Sequence, residues 1–456
     1  MHLAGVTVTT MTIESEANPT TPKPIVAIVG RQNVGKSTML NRLVGKPLAI
    51  VEDMPGTTRD RVFANVTWQG RDFTMVDTGG LEPDNQSTIA RGVREQIDAA
   101  IAEADLLVLV TDAKTGVTAT DLEIAERLRP VNKPIILAAN KADNTRLETQ
   151  AVEFYELGMG EPLAVSAHHG RGIADLMDQI LSQLPPPAAE TKIEGMKLAI
   201  VGRPNVGKSM LLNALIGSKR VIVDDSPGTT RDATDTLFDF DGQSVLLIDT
   251  AGIRRRGRVD AGIERYSVIR ALRAIERADV VLLVLDASEP VTAQDMHIAG
   301  YIQQAAKGVI LIVNKWDLII EKDTAWWDSQ IRNQLKFMTY APIVYASAKL
   351  GRGTDDILNR AQTVYRERLK RLPTSRVNEV VQQAVATHSP PRSGKKRLKV
   401  LYATQAEVNP PTFVFFVNDT KLIHFSYQRY LENRLRDAFG FAGTPLRLVF
   451  KTRSES

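Results

Sequence analysis

Cysteine is absent from the 456 residues. There is therefore no disulfide framework and no thiolate metal site, which fits a reducing, cytoplasmic setting. No apolar run approaches the length needed to cross a bilayer, so no membrane role is expected. The N-terminus lacks the basic start and long apolar stretch of a secretory signal. Residues 1–23 are rich in Thr and Pro and read as a disordered extension, whether a functional tail, a dispensable addition or a start-site artefact. Net charge is also scarce: 57 Lys and Arg against 53 Asp and Glu leave +4, too little by itself to imply nucleic acid. The bias is local, since residues 366–399 hold many Lys and Arg and few acids. What is present is ordinary for a globular chain, with 43% hydrophobic and 24% charged residues. The length suggests about three domains.

The chain repeats itself. GRQNVGKS at Gly30–Ser37 returns as GRPNVGKS at Gly202–Ser209, PGTTRD at Pro55 returns at Pro227, and DTGG at Asp77 returns as DTAG at Asp249, each displaced by 172 positions. NKAD at Asn140 returns as NKWD at Asn314, displaced by 174, and Ser166-Ala167 returns as Ser347-Ala348, displaced by 181. A period this long means two whole domains rather than a solenoid of small units. In each copy short apolar runs end in polar residues and alternate with helical patterns; in the first they are 25–29, 73–77, 106–110, 135–140 and 163–166. That order predicts a mostly parallel sheet with helices on both faces, with the motifs at the C-terminal strand ends. The proline-bearing stretch 185–195 reads as a semi-rigid linker.

The motifs point to phosphate and guanine chemistry. Gly30, Arg31, Gln32, Asn33, Val34, Gly35, Lys36 and Ser37 follow a strand and open a helix. So do Gly202, Arg203, Pro204, Asn205, Val206, Gly207, Lys208 and Ser209. Such a turn presents backbone N–H groups to phosphates, and the helix N-terminus adds a favourable dipole. Lys36 and Lys208 are the candidates to hold the β- and γ-phosphates and to stabilise charge in the transition state, while Ser37 and Ser209 would ligate Mg²⁺. Asp77 and Asp249 would hold the same ion through water, and Gly80 and Gly252 would offer N–H groups to the γ-phosphate. Thr78, Gly79 and Leu81, with Thr250, Ala251 and Ile253, complete these loops. Thr58 and Thr230 are the candidates to join the Mg²⁺ shell only with triphosphate bound, although Thr57 and Thr229 stand beside them.

NKxD selects the base. Guanine presents N1–H and N2–H₂ as neighbouring donors, which Asp143 or Asp317 can accept together; adenine offers an acceptor at N1. Asn140, Lys141 and Ala142, with Asn314, Lys315 and Trp316, would buttress base and phosphate loop. The N–H groups of Ala167 and Ala348, after Ser166 and Ser347, would meet guanine O6. No glutamine follows DTxG, where Leu81 and Ile253 stand instead, so the attacking water needs another orienter. Asn33 and Asn205 are candidates to bind a second cation near the phosphates, or else they stabilise the loop. The copies also differ: Gln32 faces Pro204, and Thr38 faces Met210, which removes a hydroxyl from the second phosphate site.

These residues together resemble the Der (EngA) family of bacterial GTPases, over nearly the whole chain from about residue 24. The resemblance implies two sites for GTP or GDP with Mg²⁺, GTP hydrolysis assisted by K⁺ at Asn33 and Asn205, and a monomer. It further implies a role in assembling the large ribosomal subunit, with binding to its rRNA. Domains are expected at 24–184 and 196–372 (P-loop GTPase modules) and at 373–456, an α+β domain of order α-β-β-α-β that the family makes KH-like. The string Gly440–Gly443 resembles a GXXG loop, but it lies between a helix and a strand rather than between two helices. Lys395, Lys396, Arg397 and Lys399 either meet RNA phosphates or form a solvated loop. Arg254, Arg255, Arg256 and Arg258 either form an exposed charge run or are displayed according to nucleotide state. The competing functional reading is an RNA-binding scaffold with one structural nucleotide; tRNA modification and membrane remodelling are weaker rivals.

Overall fold

A computed structural model describes residues 23–44, 63–78, 97, 98, 100, 101, 104–186, 195–217, 235–250, 268–388, 390, 392, 393 and 396–452. The first module runs β1 (Ile25–Val29), α1 (Lys36–Val44), β2 (Phe63–Trp68), β3 (Arg71–Asp77), β4 (Leu106–Asp112), α2 (Ala119–Leu128), β5 (Ile135–Asn140), α3 (Thr145–Gln150), β6 (Pro162–Ala164) and α4 (Ile173–Gln183). Its sheet has the order β2-β3-β1-β4-β5-β6, with only β2 antiparallel to its neighbour. The second module repeats this with β7 (Met196–Val201), α5 (Lys208–Gly217), β8 (Thr236–Phe240), β9 (Gln243–Ile248), α6 (Val268–Arg277), β10 (Val280–Asp286), α7 (Ala293–Gln304), β11 (Gly308–Asn314), α8 (Thr324–Gln334), β12 (Ile343–Tyr345) and α9 (Thr354–Arg368). Among the described residues, no helix is long and apolar enough to cross a membrane.

The central strands β1, β4, β5, β7, β10 and β11 are largely apolar because both faces are covered. Ile25, Ala27 and Val29 point into one layer, Val26 and Ile28 into the other. The second module divides in the same way, with Leu198 and Ile200 in one layer and Ala199 and Val201 in the other. The layer holding Ile25 and that holding Ala199 form one continuous core across both modules. Polar ties reinforce this junction. Arg273 of α6 meets Asp105 of the first module at 2.5 Å. The Tyr301 phenol of α7 donates to Glu276 at 2.6 Å and also meets the Thr74 hydroxyl of β3.

The third domain follows the expected order. Helices α10 (Thr374–Thr387) and α11 (Phe425–Phe439) cover one face of a sheet of β13 (Val400–Val408), β14 (Pro411–Val417) and β15 (Arg447–Thr452), with β14 in the middle. A two-residue hairpin, Arg392–Ser393 against Lys396–Arg397, precedes it. The segment after α11 is a docking loop. Val309 N–H donates to Gly443 O at 2.7 Å and Gly443 N–H to Tyr340 O at 2.8 Å, both across to the second module. Phe441 N–H donates to Glu367 at 2.6 Å, and the Arg436 guanidinium stacks over Tyr340 at 4.5 Å. The GXXG-like string is thus committed to an internal interface.

Two predictions follow from this junction. Gly443 has φ of +70°, and a Cβ there would lie 2.3 Å from Val364 Cγ2. Gly443→Ala therefore combines left-handed strain with overpacking, and should destabilise the second module with its attached domain by about 2 kcal/mol or more. An unchanged urea midpoint would show that the junction yields freely. Lys307, buried beneath α7, donates to the Glu276 carbonyl at 2.7 Å. Burial pushes its ammonium down to about 8, against the upward pull of the Glu276 carboxylate. Between there and the unfolded value of 10.5 the unfolded chain holds the extra proton, so stability rises with pH through that window and carries the full penalty below it. Lys307→Met should flatten that rise, read as melting temperature against pH for the two proteins side by side.

Candidate functional site

Each phosphate loop leaves a central strand and turns back on itself before its helix. Asn33 and Gly35 have φ of +64° and +94°, Asn205 and Gly207 +63° and +94°. Such a sequence of left-handed residues aims successive N–H groups into one concavity, the form of an anion nest. Glycine is required at the closing position. A Cβ on Gly35 would lie 2.5 Å from Asn140 Nδ2, and one on Gly207 would lie 2.3 Å from Asn314 Nδ2. Lys36 and Lys208 start the helices and are buried. Lys36 Nζ donates to the carbonyls of Gly30 and Arg31 at 2.8 Å each, and Lys208 Nζ to Arg203 O at 2.5 Å. Gln32 is exposed, as are Asn33, Asn205 and Met210, while Val34 and Val206 anchor the loops in the core.

The NKxD loop is held by the same hub in both copies. Asn140 Nδ2 donates to Val34 O at 2.8 Å, and its Oδ1 accepts from Ala167 N–H at 3.0 Å. Asn314 makes the identical pair, to Val206 O at 2.8 Å and from Ala348 N–H at 3.0 Å. The two alanine N–H groups expected to face guanine O6 thus have an internal acceptor. Lys141 Nζ reaches Asn33 O at 2.7 Å and Asp112 at 2.6 Å; Lys315 pairs with Asp286 at 2.6 Å. Ala142 is buried and donates its N–H to Val165 O at 3.0 Å, and Trp316 packs on Tyr345 with centroids 4.3 Å apart. Asp143 accepts from Lys114 at 2.6 Å and Ser166 Oγ at 2.7 Å, and Asp317 from Ser347 Oγ at 2.5 Å. These bonds, from Lys114 first and then Ser166 at Asp143 and from Ser347 at Asp317, hold both carboxyls below their usual range. Ionised carboxylates are what two neighbouring guanine donors require.

At the phosphate end the two copies diverge. Ser37 Oγ donates to Asp77, which is buried at the end of β3, and Thr78 Oγ1 donates to Ile28 O at 2.9 Å. A hydroxyl beside a carboxylate, next to the nest, is an oxygen pair suited to a hard divalent ion. Asp249 instead lies one residue past β9 with φ of +56°, and its N–H donates to Asp235 at 2.9 Å. Its carboxylate pairs with Arg270 of α6 at 3.5 Å, and Thr250 is turned to Thr236 at 2.7 Å. Thr58, Thr230, Gly79, Gly80, Leu81, Ala251, Gly252, Ile253 and the arginines of 254–258 lie outside the described residues.

Sequence reading missed a layer of supporting groups: Asp112 and Asp286 under the NKxD lysines, Lys114 on Asp143, and Asp121 and Asp295 against Arg31 and Arg203. A signal existed. Asp112 to Asp286 and Asp121 to Asp295 are displaced by 174 positions, the same as Asn140 to Asn314. The hub itself is testable. Asn140→Asp replaces a buried donor to Val34 O with a second acceptor, and should destabilise the first module by about 1–3 kcal/mol even without nucleotide. Calorimetry on nucleotide-free protein would reveal it; an unshifted transition would remove the hub from the account.

Comparison with known proteins agrees with this geometry. The family model described as "50S ribosome-binding GTPase" matches residues 25–141 and again 197–315. One described as the KH-domain-like C-terminal part of EngA bacterial GTPase enzymes matches 371–451. GTPase Der of Thermomicrobium roseum is 51% identical over 447 residues, covering 95% of this chain and 97% of the relative. Those of Chloroflexus aggregans and Desulfitobacterium hafniense are each 50% identical over 95% of this chain, covering 98% and 99% of theirs. With paired phosphate and NKxD loops along a chain matched almost end to end, this protein belongs to the Der (EngA) family: it binds guanine nucleotide and hydrolyses GTP.

Proposed function

We propose that the chain is a nucleotide-controlled switch in assembly of the large ribosomal subunit, a cytoplasmic monomer with two Mg²⁺·GTP sites whose third domain binds rRNA. The observation that carries this reading is the bolting of the KH-like domain onto the second GTPase module through the Gly443 loop. Movement of that module would move the RNA-facing domain with it. The matching family description supplies the ribosome. Arg397 and Lys399 sit at the start of the third domain's sheet, suitable for phosphate contacts.

Within each site the division of labour follows from residue chemistry. Asp143 and Asp317 select guanine, with Ser166 and Ser347 orienting them. Lys36 and Lys208 take the β- and γ-phosphate oxygens and the charge that grows on them during transfer. Ser37 with Asp77, and Ser209 with Asp249, are the residues to hold Mg²⁺, which when bound neutralises phosphate charge; Thr58 and Thr230 join them with the triphosphate. Asn33 and Asn205, exposed at the loop tips, supply neutral amide oxygens fitting for K⁺. Leu81 and Ile253 carry no polar group that could orient the attacking water.

A second reading has two observations in its favour. Asp249 is paired with Arg270 and Met210 replaces a hydroxyl residue, so the second site can be the slower one, its nucleotide serving structure. Single-turnover hydrolysis of Lys36→Ala and Lys208→Ala, measured separately, divides the two. The switch reading expects turnover from each intact site; nucleotide bound but never cleaved in Lys36→Ala assigns the second site to scaffolding. Co-sedimentation with ribosomal subunits in GDP, GTP and a non-hydrolysable analogue tests the partner. Large-subunit binding with the triphosphate alone is expected, and failure to bind in every state would end the ribosome reading.

A further inference from the structure

We propose that Asp121 and Asp295 are positioning residues for GTP binding and hydrolysis, acting through the phosphate-loop arginines on Lys36 and Lys208. Asp121 stands in the first turn of α2. Its Oδ2 accepts from Thr118 N–H at 3.1 Å and Thr118 Oγ1 at 2.7 Å, a capping box. Asp295 repeats this on α7 with Thr292, at 3.0 and 2.8 Å. A capping box consists of the reciprocal bonds between the N-cap and N3 residues and asks nothing of the second carboxylate oxygen. Here both carboxylates are buried, and in both the second oxygen, Oδ1, has no hydrogen-bond partner among the described residues. Leaving a buried acceptor unsatisfied is costly, and the cost recurs at the same place in two modules. Capping alone gives no reason for it.

The reason lies across the gap, in a cation on the phosphate loop. Asp121 Oδ2 lies 3.4 Å from Arg31 Nε, and Asp295 Oδ2 lies 3.3 Å from Arg203 Nε. The carbonyls of those same arginines accept from Lys36 and Lys208. The contact is a hydrogen bond at Arg31 and an ion pair without a hydrogen bond at Arg203; each aspartate thereby holds the first turn of the loop from outside, and the loop carbonyl in turn sets the approach of the lysine ammonium. The grip differs between modules. Arg31 has one carboxylate, with Thr115 Oγ1 completing its partners at 2.5 Å. In the second module Glu289 stands at the position of Thr115, and Arg203 meets it at 2.6 Å, so that arginine lies between two carboxylates.

The test reads each site alone in the full-length chain, using release of a fluorescent GDP analogue and single-turnover GTP hydrolysis with the other site silenced by its lysine-to-alanine change. Asp121→Asn keeps the cap's shape and acceptor but loses the charge on Arg31. Release from the first site should quicken about tenfold, the worth of one charge-assisted bond. Asp295→Asn should quicken release from the second site less, because Glu289 remains. Glu289→Thr with Asp295→Asn should restore the full effect. In an Arg31→Gln background Asp121→Asn should add nothing to release. A cap-only role predicts the opposite: the same change in release with or without Arg31, and equal effects of the two aspartates. Glu289→Thr, altering an exposed side chain, covers the case where Asp121→Asn fails to fold: in an Asp295-intact chain it should quicken release from the second site, and no change would overturn the clamp there.

Discussion

The amide of Asn140 is buried at the end of β5, and it is used from both sides. Its nitrogen holds the phosphate loop at Val34 and its oxygen holds the turn after β6 at Ala167, so one side chain sets three loops in register. Asn314 does the same at Val206 and Ala348, with distances equal to those in the first copy. Asparagine carries its donor and its acceptor on separate atoms of one planar group with a short stem, so it can hold two loops from opposite sides at once. The glycine two residues beyond Asn33 follows from it, since any Cβ at Gly35 would strike that amide. The phosphate-loop motif and NKxD are thus one mechanical unit, although they lie about a hundred residues apart.

Against that shared frame, the difference between Asp77 and Asp249 stands out. In the first module Asp77 continues the strand and faces Ser37. In the second, the chain leaves the strand one residue sooner, and Asp249 turns toward Arg270. Arg270 does not act alone. Arg273 and Arg277 follow on the same helix, one pairing with Asp105 of the first module and the other with Asp235. Residues three, four and seven apart share a helix face, so α6 connects one module's aspartate to the other module's surface through a single row of cations.

Much of the fold was legible because burial on both faces leaves a strand little choice of residue: the 25–29 and 135–140 runs are strands with those same limits. The edge strands β2 and β8 were passed over. FANVTW and TLFDF alternate buried and partly exposed positions, so neither forms an apolar run. Motif residues could be read because their chemistry is local: a turn, a lysine, a carboxylate. Their supports could not, because Asp121 meets Arg31 across 90 positions and nothing in either neighbourhood names the other. The SA dipeptide shows the same limit. Its place was legible, but the part of Ser166 as a donor to Asp143 follows from contact alone.

The docking loop carries the argument furthest from the sequence. GFAG reads as a nucleic-acid clamp only if its glycines are free to face a backbone outside the protein. Instead Phe441 and Thr444 are fully buried, and Gly443 exchanges backbone hydrogen bonds with Val309 and Tyr340 of the second module. Arg368 closes the seam by reaching Ala306, Thr444 and Asn409 together, its pKa lowered by burial to about 10. A guanidinium placed there cannot be exchanged for lysine without losing the fork that spans both domains. The third domain is therefore carried by the second module, and any RNA contact it makes must use surfaces other than this loop.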